Sequence, residues 1–259
     1  MKSGVGGQED VVVARFDDQA HEYHGRYRER TGSGHSFRIR EQRVYELFDK
    51  PGGAVLDIGC GPGITVNHLI EQGCRFYGVD LSEEMINECQ RRFGHLSSTQ
   101  FSVGRIERIE FPDGFFDAVV CMGVVEYLDD DLPAVREMAR VLKLGGTLIV
   151  TLPNRTSPFR MWRRWGFHPA IRVLRALFGQ GHRTRVAHRE YASAGYSRLL
   201  RDHGLAPVEI VYYNFKLIPS PFDEWFPTLT VRTCEWFERL ARGPLRWLAT
   251  GFIVKAIRQ

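Results

Sequence analysis

Long apolar runs are missing from this 259-residue chain. Without a stretch of about eighteen apolar residues, no membrane-spanning helix is expected. The opening MKSGVGGQEDVVVARF carries no secretory leader on this reading, because its VVVA core is too short. Cysteine is scarce and unpatterned: Cys60, Cys74, Cys89, Cys121 and Cys234 show no C-x-x-C spacing, so no metal centre or redox pair is indicated. Packing residues that stay reduced in the cytoplasm are the expected role for all five. Internal repeats and low-complexity tracts are also missing. Acid is missing from one long stretch. From Arg155 to Arg189 the chain has nine arginines and no carboxylate, although its net charge is only +4.

What is present begins with VLDIGCGPG at 55–63. Val55, Leu56 and Ile58 supply the apolar residues of a strand buried on both faces. Gly59, Gly61 and Gly63 then allow a sharp turn and a close approach to a ligand. About twenty residues on, Phe76 to Asp80 reads as a second strand ending in an acid, suited to a pair of ribose hydroxyls. The dinucleotide fingerprint G-x-G-x-x-G is excluded, because Ile64 stands where its third glycine would be. Asp57, two residues before the first glycine, would repel a pyrophosphate but suits an ammonium group. An adenosine with an ammonium and no phosphate describes S-adenosylmethionine.

Strand and helix signals alternate from residue 53 onward. Strands are expected at 53–58 (β1), 75–79 (β2), 100–104 (β3), 116–122 (β4), 147–152 (β5), 206–214 (β6) and 251–257 (β7). Helices are expected from about 63, at 82–93 with Ser82 as N-cap, at 131–143 ended by Gly145-Gly146, and at 190–203. Before them come helices at 10–30 and 36–50, joined through Gly32-Ser33-Gly34. Residues 1–9 read as a disordered tail, and 10–259 as one domain. Within it, 10–50 form a helical lid, 51–154 the cofactor-binding core, and 155–189 and 218–248 two cap insertions. This rhythm predicts an α/β, Rossmann-like, doubly wound, mostly parallel seven-stranded sheet, with insertions after β5 and between β6 and β7.

Four segments, VLDIGCGPG at 55–63, YGVDLSEEMI at 77–86, FPDGFFDAVVCMGVVEYLDD at 111–130 and VREMARVLKLGGTLIVTLPN at 135–154, resemble the class I S-adenosylmethionine-dependent methyltransferases. The likeness is to the broad small-molecule group that includes quinone and natural-product enzymes. It covers about 10–155, 188–214 and 250–257. The resemblance implies that Asp57, Gly59, Cys60, Gly61 and Gly63 hold the methionine part of the cofactor. It implies that Asp80 takes the ribose, and that Leu81, Met85, Ile106 and Glu107 surround the adenine. Arg105 stands where many relatives have an Asp, so Ile106 or Glu107 would replace that acceptor. Met122 ends β4 beside the sulfonium. Tyr23 belongs to the lid, and Arg38, with Arg40 as the alternative, would meet the methionine carboxylate. The product would be S-adenosylhomocysteine.

For the reaction itself, Glu126, Tyr127 and His188 are the candidates, with His168 and His182 as alternatives. Relatives often carry Glu-His where this chain has Glu126-Tyr127. A base is required only for a neutral hydroxyl acceptor. The aromatic insertions suggest a small, apolar acceptor, and O-methylation is favoured from family frequency. A lipid or other membrane-resident acceptor, a nucleic-acid or protein acceptor, and a non-catalytic cofactor-binding subunit remain as alternatives. The basic-aromatic segment 155–189 has three readings: a cap on the site, a peripheral contact with an anionic membrane, or nucleic-acid contact. The last is least favoured, since no recognition fold accompanies the arginines.

Overall fold

A computed structural model describes residues 8–20, 22–178 and 188–259. Residues 1–7 of the expected tail and His182 lie outside the described residues, whereas Gln8 and Glu9 already belong to a helix. The N-terminal helices are α1 (Gln8–Gln19), α2 (Tyr23–Arg28) and α3 (Gly32–Leu47), so the single helix expected at 10–30 is two. Gly32-Ser33-Gly34 is not a linker but the first turn of α3. Thr31 caps it by accepting from the Gly34 N–H at 3.1 Å.

The core then follows the expected alternation: β1 (Ala54–Ile58), α4 (Val66–Glu71), β2 (Arg75–Asp80), α5 (Glu83–Phe93), β3 (Thr99–Val103), β4 (Phe116–Met122), α6 (Leu132–Val141) and β5 (Leu142–Pro153). Ser82 caps α5 by accepting from the Met85 N–H at 3.1 Å, with Glu83 and Glu84 in the first turn and Arg91 and Arg92 in the last. Those charges complement the helix dipole. The expected glycine C-cap of α6 does not form. Leu142 already pairs with Phe116, and Gly145-Gly146 lie in an irregularity of β5 before Thr147 resumes pairing with Ala118.

Beyond β5 come α7 (Pro158–Trp162), a π-helical turn at 163–167, α8 (His168–Leu177), α9 (Ser193–Arg201), β6 (Leu205–Tyr213), α10 (Phe222–Trp225), α11 (Pro227–Phe237) and β7 (Gly251–Arg258). The seven strands lie in the order β3-β2-β1-β4-β5-β7-β6, with β7 antiparallel to both neighbours and the rest parallel. The order reverses direction between β1 and β4, the place where open α/β sheets bind ligands.

All five residues of β1 are buried, as a strand covered on both faces requires. Phe76 of β2 is fully buried against Phe101 of β3, ring centroids 5.7 Å apart. Phe76→Ala should therefore cost about 3–5 kcal/mol, readable as a lower midpoint in urea unfolding. The two insertions are tied together where Trp162 Nε1 donates to the Ser220 carbonyl at 2.8 Å. Asn214, just after β6, donates through Nδ2 to Ser36 of α3 and to Thr250 beside β7, which fastens the helical lid to the sheet end.

Candidate active site

The carboxyl ends of β1, β2 and β4 open onto a cavity of about 350 Å³. The turn after β1 forms one wall, through Gly59, Cys60 and Gly61. Gly61 has φ +52°, and a Cβ there would meet no protein atom within 4 Å, so it would project into open space at the cavity wall. Asp80 is held from both sides: Oδ2 accepts from the Gly61 N–H and Oδ1 from the Ser82 N–H, each at 2.9 Å. Each oxygen keeps a second lone pair for a ligand hydroxyl. Leu81 and Met85 follow on the same side, and Ile106 and Glu107 close the far edge. Met122 ends β4 at the wall, and the lid contributes Val13, Phe16 and Tyr23.

Asp57 is buried beside this turn rather than on the cavity wall. Its Oδ2 accepts from the Thr65 hydroxyl, while Oδ1 is buried with no partner. Burial pushes its carboxyl up to about 7, with the Asp80 charge adding to the shift and Thr65 opposing it. An orphaned buried acceptor is costly unless a donor arrives. A cationic donor, directly or through water, is what the site lacks. Residues present therefore fit a ligand that brings an ammonium near Asp57 and a hydroxyl pair to Asp80.

Two expected contacts are corrected. Gly63 does not line the cavity: a Cβ there would strike the Phe93 ring at 2.7 Å, so its glycine serves the packing of α5 against the turn. Arg38 does not line it either, because its Nη1 donates to the carbonyls of Tyr27 and Glu29 at 2.9 and 2.7 Å. Arg40, two residues along α3, reaches the cavity instead and packs over Phe37 with its guanidinium 5.2 Å from the ring centroid. Its Nε is buried without a partner.

A second cavity of about 1050 Å³ adjoins the first. Phe16, Tyr23, Arg40, Gly123 and Tyr127 line both, so the two spaces meet beside the end of β4. Glu126, Tyr127 and His188 all line the second cavity. The 188–191 segment is fixed there by the Arg189 N–H donating to the Glu126 carbonyl at 2.9 Å. Tyr191 and Arg189 both donate to Asp131. His188 thereby sits with its ring 4.7 Å from that of Tyr127. Burial raises the Glu126 carboxyl, against the opposing charge of Arg40, and its Oε2 is buried without a partner. His168 also lines this cavity.

The second cavity mixes aromatic and charged groups, with Phe16, Tyr23, Phe37, Tyr127 and Phe159 among its lining residues. Nine cationic side chains reach the second cavity, from the lid, α3, the first insertion and Lys216, against two carboxylates, Glu126 and Glu190. Phe159 of the first insertion is buried against this cavity, whereas other aromatic residues of the insertions point outward. Trp165 is 73% exposed, Phe178 73% and Trp225 66%. Phe16 and Lys216 are thus site residues that the sequence alone did not single out.

The description "methyltransferase domain" is that of the family matching residues 56–150. The chain is 32% identical over 230 residues to an uncharacterized 37.1 kDa protein in transposon TN4556 of Streptomyces fradiae, covering 81% of this chain and 64% of that one. It is 34% identical over 122 residues to a ubiquinone biosynthesis O-methyltransferase of Xanthomonas oryzae, 46% of this chain and 50% of the relative. The chain thus spans between half and two thirds of the length of these relatives. Among solved structures, a chain from the complex of the Haloferax volcanii Trm112 methyltransferase activator with a methyltransferase superposes with a TM-score of 0.63. The two are 23% identical, over 94% of this chain and 97% of the other. A SAM-dependent methyltransferase from Thermotoga maritima superposes with a TM-score of 0.61 at 17% identity, over 94% and 98%. Residues 56–150 thus match the methyltransferase-domain family, and the chain as a whole has the α/β fold of these solved S-adenosylmethionine-dependent methyltransferases.

Proposed function

We propose that the chain binds S-adenosylmethionine in the smaller cavity and transfers its methyl group to the oxygen of a small acceptor held in the larger one. The observation that carries this reading is the meeting of the two cavities at Gly123, Tyr127 and Tyr23. When bound, the cofactor supplies a methyl on a sulfonium, already activated toward a nucleophile. The residues then have little bond-making to do. Asp80 and Asp57 fix the two ends of the cofactor, and Arg40 faces its carboxylate. Gly123, whose N–H donates to Thr151 Oγ1 at 3.0 Å, lines both cavities and admits the Arg40 guanidinium, since a Cβ there would lie 2.6 Å from Arg40 Nη1. Orientation of this kind supplies much of the rate in a displacement reaction. Glu126 Oε2, buried and unpartnered, takes the proton of the acceptor hydroxyl. Tyr127 and His188 position the acceptor against it.

The test is incubation of the protein with methyl-labelled S-adenosylmethionine and small-molecule extract, followed by mass spectrometry. A labelled small molecule absent from a heat-denatured control is expected. Cofactor binding without any labelled product would favour the alternative of a non-catalytic subunit.

Because burial raises the Asp57 carboxyl to about 7, it is the ionised form that receives an ammonium. Affinity for the cofactor should rise with pH up to about 7, by up to tenfold per unit, and fall again once the ammonium loses its proton above about 8. Calorimetric titrations across that range check it. Asp57→Asn should abolish the rise, and an unchanged slope in the variant would assign the titration elsewhere.

A second reading concerns where the protein works. Val173 and Leu177 stand one turn apart on α8 and Trp165 two turns before, all exposed, with Phe178 beside them. Such a face suits shallow insertion at a membrane surface. No helix of the described residues is long and apolar enough to cross a membrane. Flotation with anionic and with neutral vesicles should carry the protein upward, more strongly with the anionic ones. Protein that stays at the bottom with both would remove this reading.

A further inference from the structure

The larger cavity has a charge pattern that neither the cofactor nor an apolar acceptor uses. Of the cavity-lining residues in the first insertion, Arg160, Arg164, His168 and Arg172 are spaced four apart, beside Arg155, Phe159 and Arg163. That spacing is one stripe of a helix. The intervening Trp165, Val173 and Leu177 belong to the neighbouring, outward stripe. Along α7, the π-helical turn and α8 these cations border the open cavity, while Trp165, Val173 and Leu177 face solvent.

The second insertion and the strand end before it complete the arrangement. Phe159, 6% exposed, is flanked by two cations from different elements: the Arg163 guanidinium 5.9 Å from its ring centroid and Lys216 Nζ 5.3 Å from it. Only part of this charge is neutralised. Glu190 takes Arg164 at 2.7 Å and Arg160 at 3.6 Å, and Asp223 takes Lys216 at 3.6 Å. Among the described residues, no carboxylate lies within ion-pair distance of Arg155 or Arg172. A concave surface lined by one sign of charge concentrates counter-ions of the other, and planar guanidinium groups match oxyanions with paired donors. The cofactor cannot serve as that counter-ion. Its sulfonium and ammonium are cations, and its one carboxylate is assigned to Arg40, which borders both cavities.

We infer that the acceptor is a small organic oxyanion carrying two or more negative charges, as phosphate ester, diphosphate or clustered carboxylates. The anionic end lies on the Arg160–Arg164–Arg172 stripe and Lys216. The nucleophilic end points past Glu126 to the junction at Gly123 and Tyr127. This inference rests on the methyl-transfer reading above and narrows its substrate.

The probes are inorganic pyrophosphate and citrate, titrated by calorimetry into the full chain saturated with S-adenosylhomocysteine. One saturable site per chain is expected for at least one of them, and their relative affinities distinguish phosphate from carboxylate recognition. The double variant Arg155→Ala/Arg172→Ala, at two exposed positions, should weaken that binding at least tenfold and leave cofactor affinity unchanged. Arg201→Ala on the distant α9 should leave both unchanged. Should the double variant fold poorly, Arg172→Glu alone repeats the test with the same expectation. Absence of saturable binding by either anion, or equal binding in wild type and double variant, would overturn the inference while leaving methyl transfer standing. Retention by RNA or by phosphatidylglycerol vesicles without binding of either small anion would overturn it in favour of a macromolecular surface. Loss of cofactor binding by the wild type would overturn the methyl-transfer reading and this inference with it.

Discussion

Asp80→Ala lowers the affinity for S-adenosylmethionine by about a hundredfold or more, measured by calorimetric titration of the folded variant. The reasoning is geometric. Asp80 lines the cavity, and its two carboxylate oxygens are anchored by the Gly61 and Ser82 amides at 2.9 Å. A ribose diol donating to both would make two charge-assisted hydrogen bonds, each contributing about 1.5–3 kcal/mol. Losing the pair removes about 3 kcal/mol or more, which converts to the stated factor. The substitution also releases the Gly61 amide and so loosens the turn that receives the methionine end. Asp80→Asn should fall less far, because the amide oxygen still accepts one hydroxyl. An alanine variant with wild-type affinity would remove Asp80 from the site.

Glu126→Gln should lower the rate of the chemical step by about 10²–10⁴ with cofactor affinity unchanged, as expected for loss of a general base. Burial raises the Glu126 carboxyl above its ordinary range. The base must be ionised to take a proton, so the wild-type rate should climb as pH rises through that raised value and then level off. The variant should lose this acid limb. The split between an unchanged cofactor affinity and a lower maximal rate separates a proton-transfer role from a structural one. A glutamine variant with full activity and the original limb would assign the proton to His188 or Tyr127, which share the cavity.

The core of the site was legible because its residues sit at strand ends, where burial and chain direction are read from a few adjacent positions. VLDI buries on both faces, so Asp57 must fall beside the turn, and the same logic places Asp80. Arg40 was harder to separate from Arg38. Two positions apart on α3 they point to different sides, and only the docking of that helix shows which side faces the cofactor. Gly63 carried a motif position, but the reason for its glycine is the Phe93 ring of α5, a contact thirty residues away. The insertion's composition did not show which of its side chains face the cavity. Tryptophans and phenylalanines suggest an apolar pocket until helical phase is assigned. The spacing of Arg160, Arg164, His168 and Arg172 was available in the chain, yet its place at the cavity border depends on how the helix rests over the sheet end. Gly145-Gly146 show the same limit locally, since β4 pairing recruits Leu142 into a strand where the pair would otherwise cap α6.

The central claim is that the cofactor's methyl group emerges where the two cavities join. The most direct measurement is a crystal structure of the chain with S-adenosylmethionine bound. The account predicts the ribose on Asp80, the ammonium on the Asp57 side of the glycine turn, and the methyl directed between Gly123 and Tyr127 into the cation-lined cavity. A cofactor seated elsewhere, or one whose methyl faces a closed wall, would contradict it.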